Sequence, residues 1–190
     1  MMKKHVSIAV FASGSGSNFQ AIQNTIERGQ LNAKIELVVT DQPGAYVAKR
    51  AVEKGIPVLA LNPKDFDSKE AYEIEVLKTM QEKQVEWLVL AGYMRLIGET
   101  LLSAYPSKIV NIHPSLLPSF PGKDAIGQAM DHGVKVTGVT VHYVDEGMDT
   151  GTIIMQKAVN VIDGNRDKTE QAIHEVEHEI YPAALQSLLD

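Results

Sequence analysis

Val6-Ser7-Ile8-Ala9-Val10-Phe11-Ala12-Ser13-Gly14-Ser15-Gly16-Ser17-Asn18-Phe19 holds, in one line, a strand, a turn and the start of a helix. The run 6–12 is short and almost wholly apolar, as in a strand buried on both faces of a parallel sheet. Gly14 and Gly16 then allow positive φ and a close backbone approach. Ser17 with Gln20 reads as a capping box, Phe19, Ile22 and Ile26 share one helical face, and Gly29 stops the helix. Strand, glycine turn and helix form the opening unit of an open α/β sheet, and ligands bind such sheets beyond the carboxyl ends of their strands.

Working outward, short apolar runs at 35–40, 58–61, 87–91 and 109–113 alternate with helical patterns. One helix is signalled by Asp67 with Glu70 and carries Tyr72, Val76 and Met80 on one stripe. After His113 come Pro114, Pro118, Pro121 and Gly122, a rigid loop unsuited to helix or sheet. A short helix at 125–131, strands at 136–144 and 153–161, and a closing helix at 167–189 complete the reading, with Pro182 expected to bend the last. The predicted fold is α/β, a Rossmann-like, open, mostly parallel twisted sheet with helices on both faces, in a single domain over 1–190.

Composition narrows the function. A hydrophobic share of 44% supports a core without staples, and the chain has no cysteine, which excludes disulfides, thiolate metal sites and cysteine nucleophiles. The net charge of −6 argues against a nucleic-acid partner. The start, Met1-Met2-Lys3-Lys4, faintly resembles a leader, but its apolar run is cut short by the glycine turn, and no stretch has the length of a membrane span. A cytoplasmic protein, monomer or homodimer, is expected.

Three places carry chemistry. The glycine turn, with Gly16, Ser17, Asn18 and Phe19 at a helix N-terminus, suits a phosphate. It lacks the third glycine of a dinucleotide fingerprint and the Gly-Lys-Ser/Thr of a P-loop, which leaves a terminal monophosphate or a plain tight turn. Asn111 and His113 stand one residue apart at a strand end, so both point to one face. There they can hold an oxyanion and manage a proton, or simply satisfy backbone groups. Glu177 falls within the apolar stripe of Ile173, Val176, Ile180 and Ala184, where a carboxylate is rarely buried without a partner; the alternative is an exposed rim position. His142, His174 and His178 do not converge, and no metal is expected.

Asn111-Ile112-His113-Pro114-Ser115-Leu116-Leu117-Pro118 resembles the signature of the folate-dependent formyltransferases. The resemblance continues through 90–95, 138–142 and 145–151, and covers nearly the whole chain. Within that superfamily, the turn at 14–18 is similar to the phosphate site of the enzymes that formylate phosphoribosylglycinamide. Relatives acting on methionyl-tRNA, or hydrolysing the folate, carry extra domains for which the length is expected to leave no room.

The resemblance implies formyl transfer from 10-formyltetrahydrofolate as co-substrate to that amine in purine synthesis. It makes His113 the catalytic acid, Asn111 its partner at the formyl oxygen, and Asp149 the carboxylate beside the histidine. Lys69, Met94, Arg95, Leu96 and Ile97, together with Asn111, would bind the folate. Gly16, Ser17, Asn18, Phe19 and Glu177 would bind the acceptor. It also implies a cis Leu117–Pro118 peptide. The chain departs from the family at Lys123-Asp124, where a histidine is common, and at Thr152, where proline is common. The rival readings are a formyltetrahydrofolate hydrolase and a non-catalytic sugar-phosphate-binding module.

Overall fold

The computed structural model describes residues 4–190, so the leader-like positions 1–3 lie outside the described residues. Seven strands form one sheet in the order β3-β2-β1-β4-β5-β6-β7. β1 (Val6–Phe11), β2 (Ala33–Thr40), β3 (Val58–Ala60), β4 (Trp87–Leu90) and β5 (Ile109–His113) are parallel. β6 (Val136–Tyr143) and β7 (Ile153–Asn160) add an antiparallel hairpin at one edge. The expected Rossmann-like, mostly parallel sheet is the one observed, and its order reverses between β1 and β4, which opens a crevice there.

Side-chain alternation along β1 explains why both faces need helices. Ile8, Val10 and Ala12 join a core with Phe19 and Ile22 of α1 (Ser17–Glu27), Val47 and Ala51 of α2 (Tyr46–Glu53), and Ile173 and Ile180 of α6 (Arg166–Leu189). Ala9 and Phe11 join a second core with Tyr72, Val76 and Met80 of α3 (Lys69–Glu82) and Leu101 of α4 (Glu99–Ala104). A strand buried on both sides has no polar face, which is why 6–12 reads as a nearly continuous apolar run. α5 (Ala125–Asp131) follows the proline-rich loop, as expected.

Two helix starts differ from the reading of the sequence. The capping box at Ser17 and Gln20 does not form. Gly16 is the residue before α1, in the left-handed region at φ 75°, and no side chain caps the helix. The tight turn places glycine where a capping serine would need extended backbone, so the helix opens onto the crevice uncapped. α3 is capped one residue later than expected, by Ser68, whose hydroxyl accepts from the Ala71 N–H at 3.0 Å. α6 continues through Pro182 as one helix.

The loop after β5 is pinned from β6. Thr140, fully buried, donates to the Ser115 carbonyl at 2.7 Å and accepts from the Leu117 N–H at 3.1 Å. Leu116 crosses Gly138 so closely that a Cβ there would overlap it. The Leu117–Pro118 peptide is cis. On the opposite side, the buried hydroxyl of Tyr181 in α6 reaches the carbonyls of Leu90 at 2.7 Å and Val110 at 3.2 Å, at the ends of β4 and β5.

Candidate active site

A cleft of about 840 Å³ lies along the carboxyl ends of the strands. Its lining brings together the glycine turn, residues 94–97, Asn111, His113, the loop with Asp149, and Glu177.

The polar cluster is built by register. The period of two along β5 sends Asn111 and His113 to one face, and antiparallel pairing sets His142 of β6 opposite Asn111. His113 Nε2 lies 2.8 Å from the Phe120 carbonyl. A carbonyl only accepts, so that nitrogen carries hydrogen. His113 Nδ1 stands 3.5 Å from Asp149 Oδ2, which also accepts from the Gly122 N–H at 2.8 Å. Asp149 is held in the left-handed region at φ 56°.

His142 completes the group. Its Nδ1 faces the Tyr143 carbonyl at 2.8 Å and so bears the hydrogen. Burial pushes this imidazole below its ordinary pKa, against the opposing effects of the Tyr143 hydrogen bond and the Asp149 charge. The neutral ring then offers Nε2 as an acceptor, and the Asn111 amide nitrogen sits 3.5 Å from it. An amide has two N–H groups, so holding one on His142 aims the other. The sequence singled out His142 only as a metal ligand to reject. Its place beside Asn111 depends on the β5–β6 register, which no local motif reports.

At the other end, the turn at 13–18 is held from behind by α2. The Gly14 carbonyl accepts from the Val47 N–H at 3.0 Å, and the Ser15 carbonyl from Arg50 Nε at 2.8 Å. A Cβ on Gly16 would stand 2.9 Å from Val47 Cα, so glycine is required there by packing as well as by φ. No local motif in the sequence marks Arg50 as a group beneath the turn. Ser17 and Asn18 line the cleft. Phe19 has 0% exposure and packs in the core, so only its backbone is available to a ligand.

Glu177 is buried and partnered. Its carboxylate accepts from His174 Nδ1 at 2.8 Å and lies 3.4 Å from the Asn18 amide nitrogen. The hydrogen bond to Glu177 raises the His174 pKa, against partial burial. Glu177 and Asn18 thereby join α6 to the first turn of α1 inside the cleft.

Met94, Arg95, Leu96 and Ile97 line the facing wall, where Met94 and Leu96 leave much of their apolar surface exposed. Lys69 opens α3, exposed and outside the lining residues. Asp124 caps α5 through the Gly127 N–H and pairs with Arg166 of α6, so the departure at 123–124 fastens the loop to the last helix. Among the described residues, no group of three or more His, Asp or Glu side chains is arranged to hold a metal ion.

A glycine turn at a helix N-terminus thus faces an amide–imidazole–carboxylate cluster across the switch point of an open sheet, an arrangement in keeping with a group transferase. The formyl transferase family matches residues 6–185, and the chain belongs to that family. It is 52% identical to a phosphoribosylglycinamide formyltransferase of Bacillus subtilis (strain 168), across 99% of this chain and 95% of the relative. A trifunctional purine biosynthetic protein of Drosophila melanogaster is 40% identical over 100% of this chain, which spans 14% of that protein. Among solved structures, glycinamide ribonucleotide transformylase 1 of Geobacillus kaustophilus is similar with a TM-score of 0.96 and 57% identity, covering 98% of this chain and 100% of that one.

Proposed function

We propose that this chain transfers the formyl group of 10-formyltetrahydrofolate to the primary amine of phosphoribosylglycinamide, a step of purine synthesis. The observation that carries the reading is the arrangement of the cleft: a phosphate-type turn at one end and Asn111, His113 and Asp149 together at the other. High identity to named transformylases over the full length supports the same reaction. The turn with Gly16, Ser17, Asn18 and the Phe19 backbone binds the phosphate, and Glu177 receives the glycinamide end. Residues 94–97 and the loop at 145–149 take the folate, with Lys69 at the distal, glutamate end. The N-terminal half of one domain thus supplies most of the acceptor site, the C-terminal half most of the catalytic groups.

The amine's lone pair forms a bond to the formyl carbon, and the carbonyl pair moves onto oxygen. Asn111 donates its free N–H to that oxygen, and His113 supplies the second stabilising contact. The oxygen pair re-forms the carbonyl as the carbon–N10 bond breaks, N10 takes a proton from His113 through water, and the amine's surplus proton restores His113 by way of Asp149. No acyl-enzyme is formed, as befits a chain without cysteine. The setting is the cytoplasm, and no helix among the described residues is long and apolar enough to cross a membrane.

The deciding experiment is folate turnover with and without phosphoribosylglycinamide. Acceptor-dependent transfer is expected. Equal turnover without acceptor would identify a hydrolase, and phosphate-ester binding without turnover a non-catalytic module.

A further inference from the structure

Ser13, the first residue of the glycine turn, makes two side-chain contacts that the reaction does not use. Its hydroxyl lies 2.6 Å from Asp41 Oδ1, and its oxygen accepts from the Met94 N–H at 2.9 Å. Asp41 follows β2 directly and is 3% exposed. A carboxylate can only accept from the hydroxyl, so Asp41 takes the Ser13 hydrogen and leaves the lone pairs directed at Met94. Ser13 sits on the acceptor side of the switch point, and Met94 begins the wall on the other.

We infer that Asp41 and Ser13 form a positioning pair that fixes the folate-side segment 94–97 from within the acceptor turn. This rests on the assignment of the two half-sites proposed above. The dependence is asymmetric. The turn has other ties, through Val47 to the Gly14 carbonyl and Arg50 to the Ser15 carbonyl. On the folate side, the Ser13 N–H holds the Gly92 carbonyl at 2.9 Å and buried Ile97 anchors the far end of the segment, but the Met94 N–H depends on the Ser13 oxygen. Loss of the pair therefore loosens the folate wall more than the phosphate turn.

The test is steady-state kinetics on Ser13→Ala and Asp41→Ala, with Asp41→Asn as the conservative variant. Asparagine keeps an oxygen that accepts from Ser13. Ser13→Ala and Asp41→Ala are expected to raise the KM for 10-formyltetrahydrofolate roughly tenfold, the loss expected for one partly buried hydrogen bond. The KM for phosphoribosylglycinamide and kcat should stay within about twofold, and Asp41→Asn should recover most of the folate KM. Because a buried alanine at 41 can cost folding, Ser13→Ala, at a half-buried position, provides the second reading. An unchanged folate KM, an equal rise in both KM values, or Asp41→Asn as damaging as Asp41→Ala would overturn the pair. An unmutated protein that fails to formylate the acceptor would overturn the half-site assignment instead.

Discussion

Asp149 touches three groups at once: His113, His142 and the Gly122 N–H. Asp149→Asn keeps an oxygen for Gly122 and a residue type that tolerates positive φ, so the loop survives while the charge beside His113 is lost. Turnover should fall by at least ~10²-fold, the lower range for a proton-transfer group, with both KM values nearly unchanged in steady-state assays. A variant with near-normal kcat would reduce Asp149 to a loop anchor. Glu177 gives a second test through pH. It raises the His174 pKa, so the pair stabilises the fold fully below the unfolded histidine value, about 6.5, and the contribution fades as pH rises through the raised value. The Tm gap between the native chain and Glu177→Gln should therefore be wider at pH 5.5 than at pH 8.5. His174 is half exposed, so solvent screening keeps the effect small. A gap independent of pH would show that Glu177 matters to the fold only through packing and Asn18.

Elements report how much of this was legible. Period-two alternation puts Asn111 and His113 on one face, and apolar runs locate the five parallel strands, because burial on both sheet faces leaves a direct mark on composition. Helix starts were less legible. Gly16 adopts a left-handed turn that overrides the serine preference, and Ser68 rather than Asp67 holds the α3 cap. His142 and Arg50 escaped because their roles arise where distant elements meet. The same turn separates two effects of glycine. Sequence alone suggests that a bulky residue at Gly16 affects only acceptor binding, yet Val47 stands too close for that. Gly16→Ala should lower Tm measurably and impair both substrates. Gly14→Ala has nothing within 4 Å of its new Cβ and should raise only the acceptor KM. Thermal melts beside kinetics on both variants check this; equal melting temperatures would remove the packing argument.

At the scale of the molecule, each proposed ligand site is assembled from residues distant in sequence and exists only in the folded chain. Ligands that bind only the folded state stabilise it by mass action, by about 2.7 kcal/mol at a hundredfold excess over Kd. For a chain of this size that corresponds to a rise in Tm of roughly 5–10 °C. Phosphoribosylglycinamide and the folate, each added alone, should both produce such a shift in differential scanning calorimetry. Inorganic phosphate should give a smaller one through the glycine turn. A folate shift with no response to the acceptor would leave the phosphate assignment of the turn without support.

Tyr181 adds a constraint on the order in which the protein becomes competent. Its phenol ties α6 to the ends of β4 and β5, and Glu177, one helical turn earlier, meets Asn18 across almost the whole length of the chain. A nascent polypeptide therefore contains the glycine turn, Asn111, His113 and Asp149 before α6 is complete and the cleft can close. The proposed folate wall and acceptor end come under one clamp only when the last helix has been synthesised and docked. Synthesis halted before α6 would leave every proposed proton-transfer group present on a chain with no finished place to bind the amine.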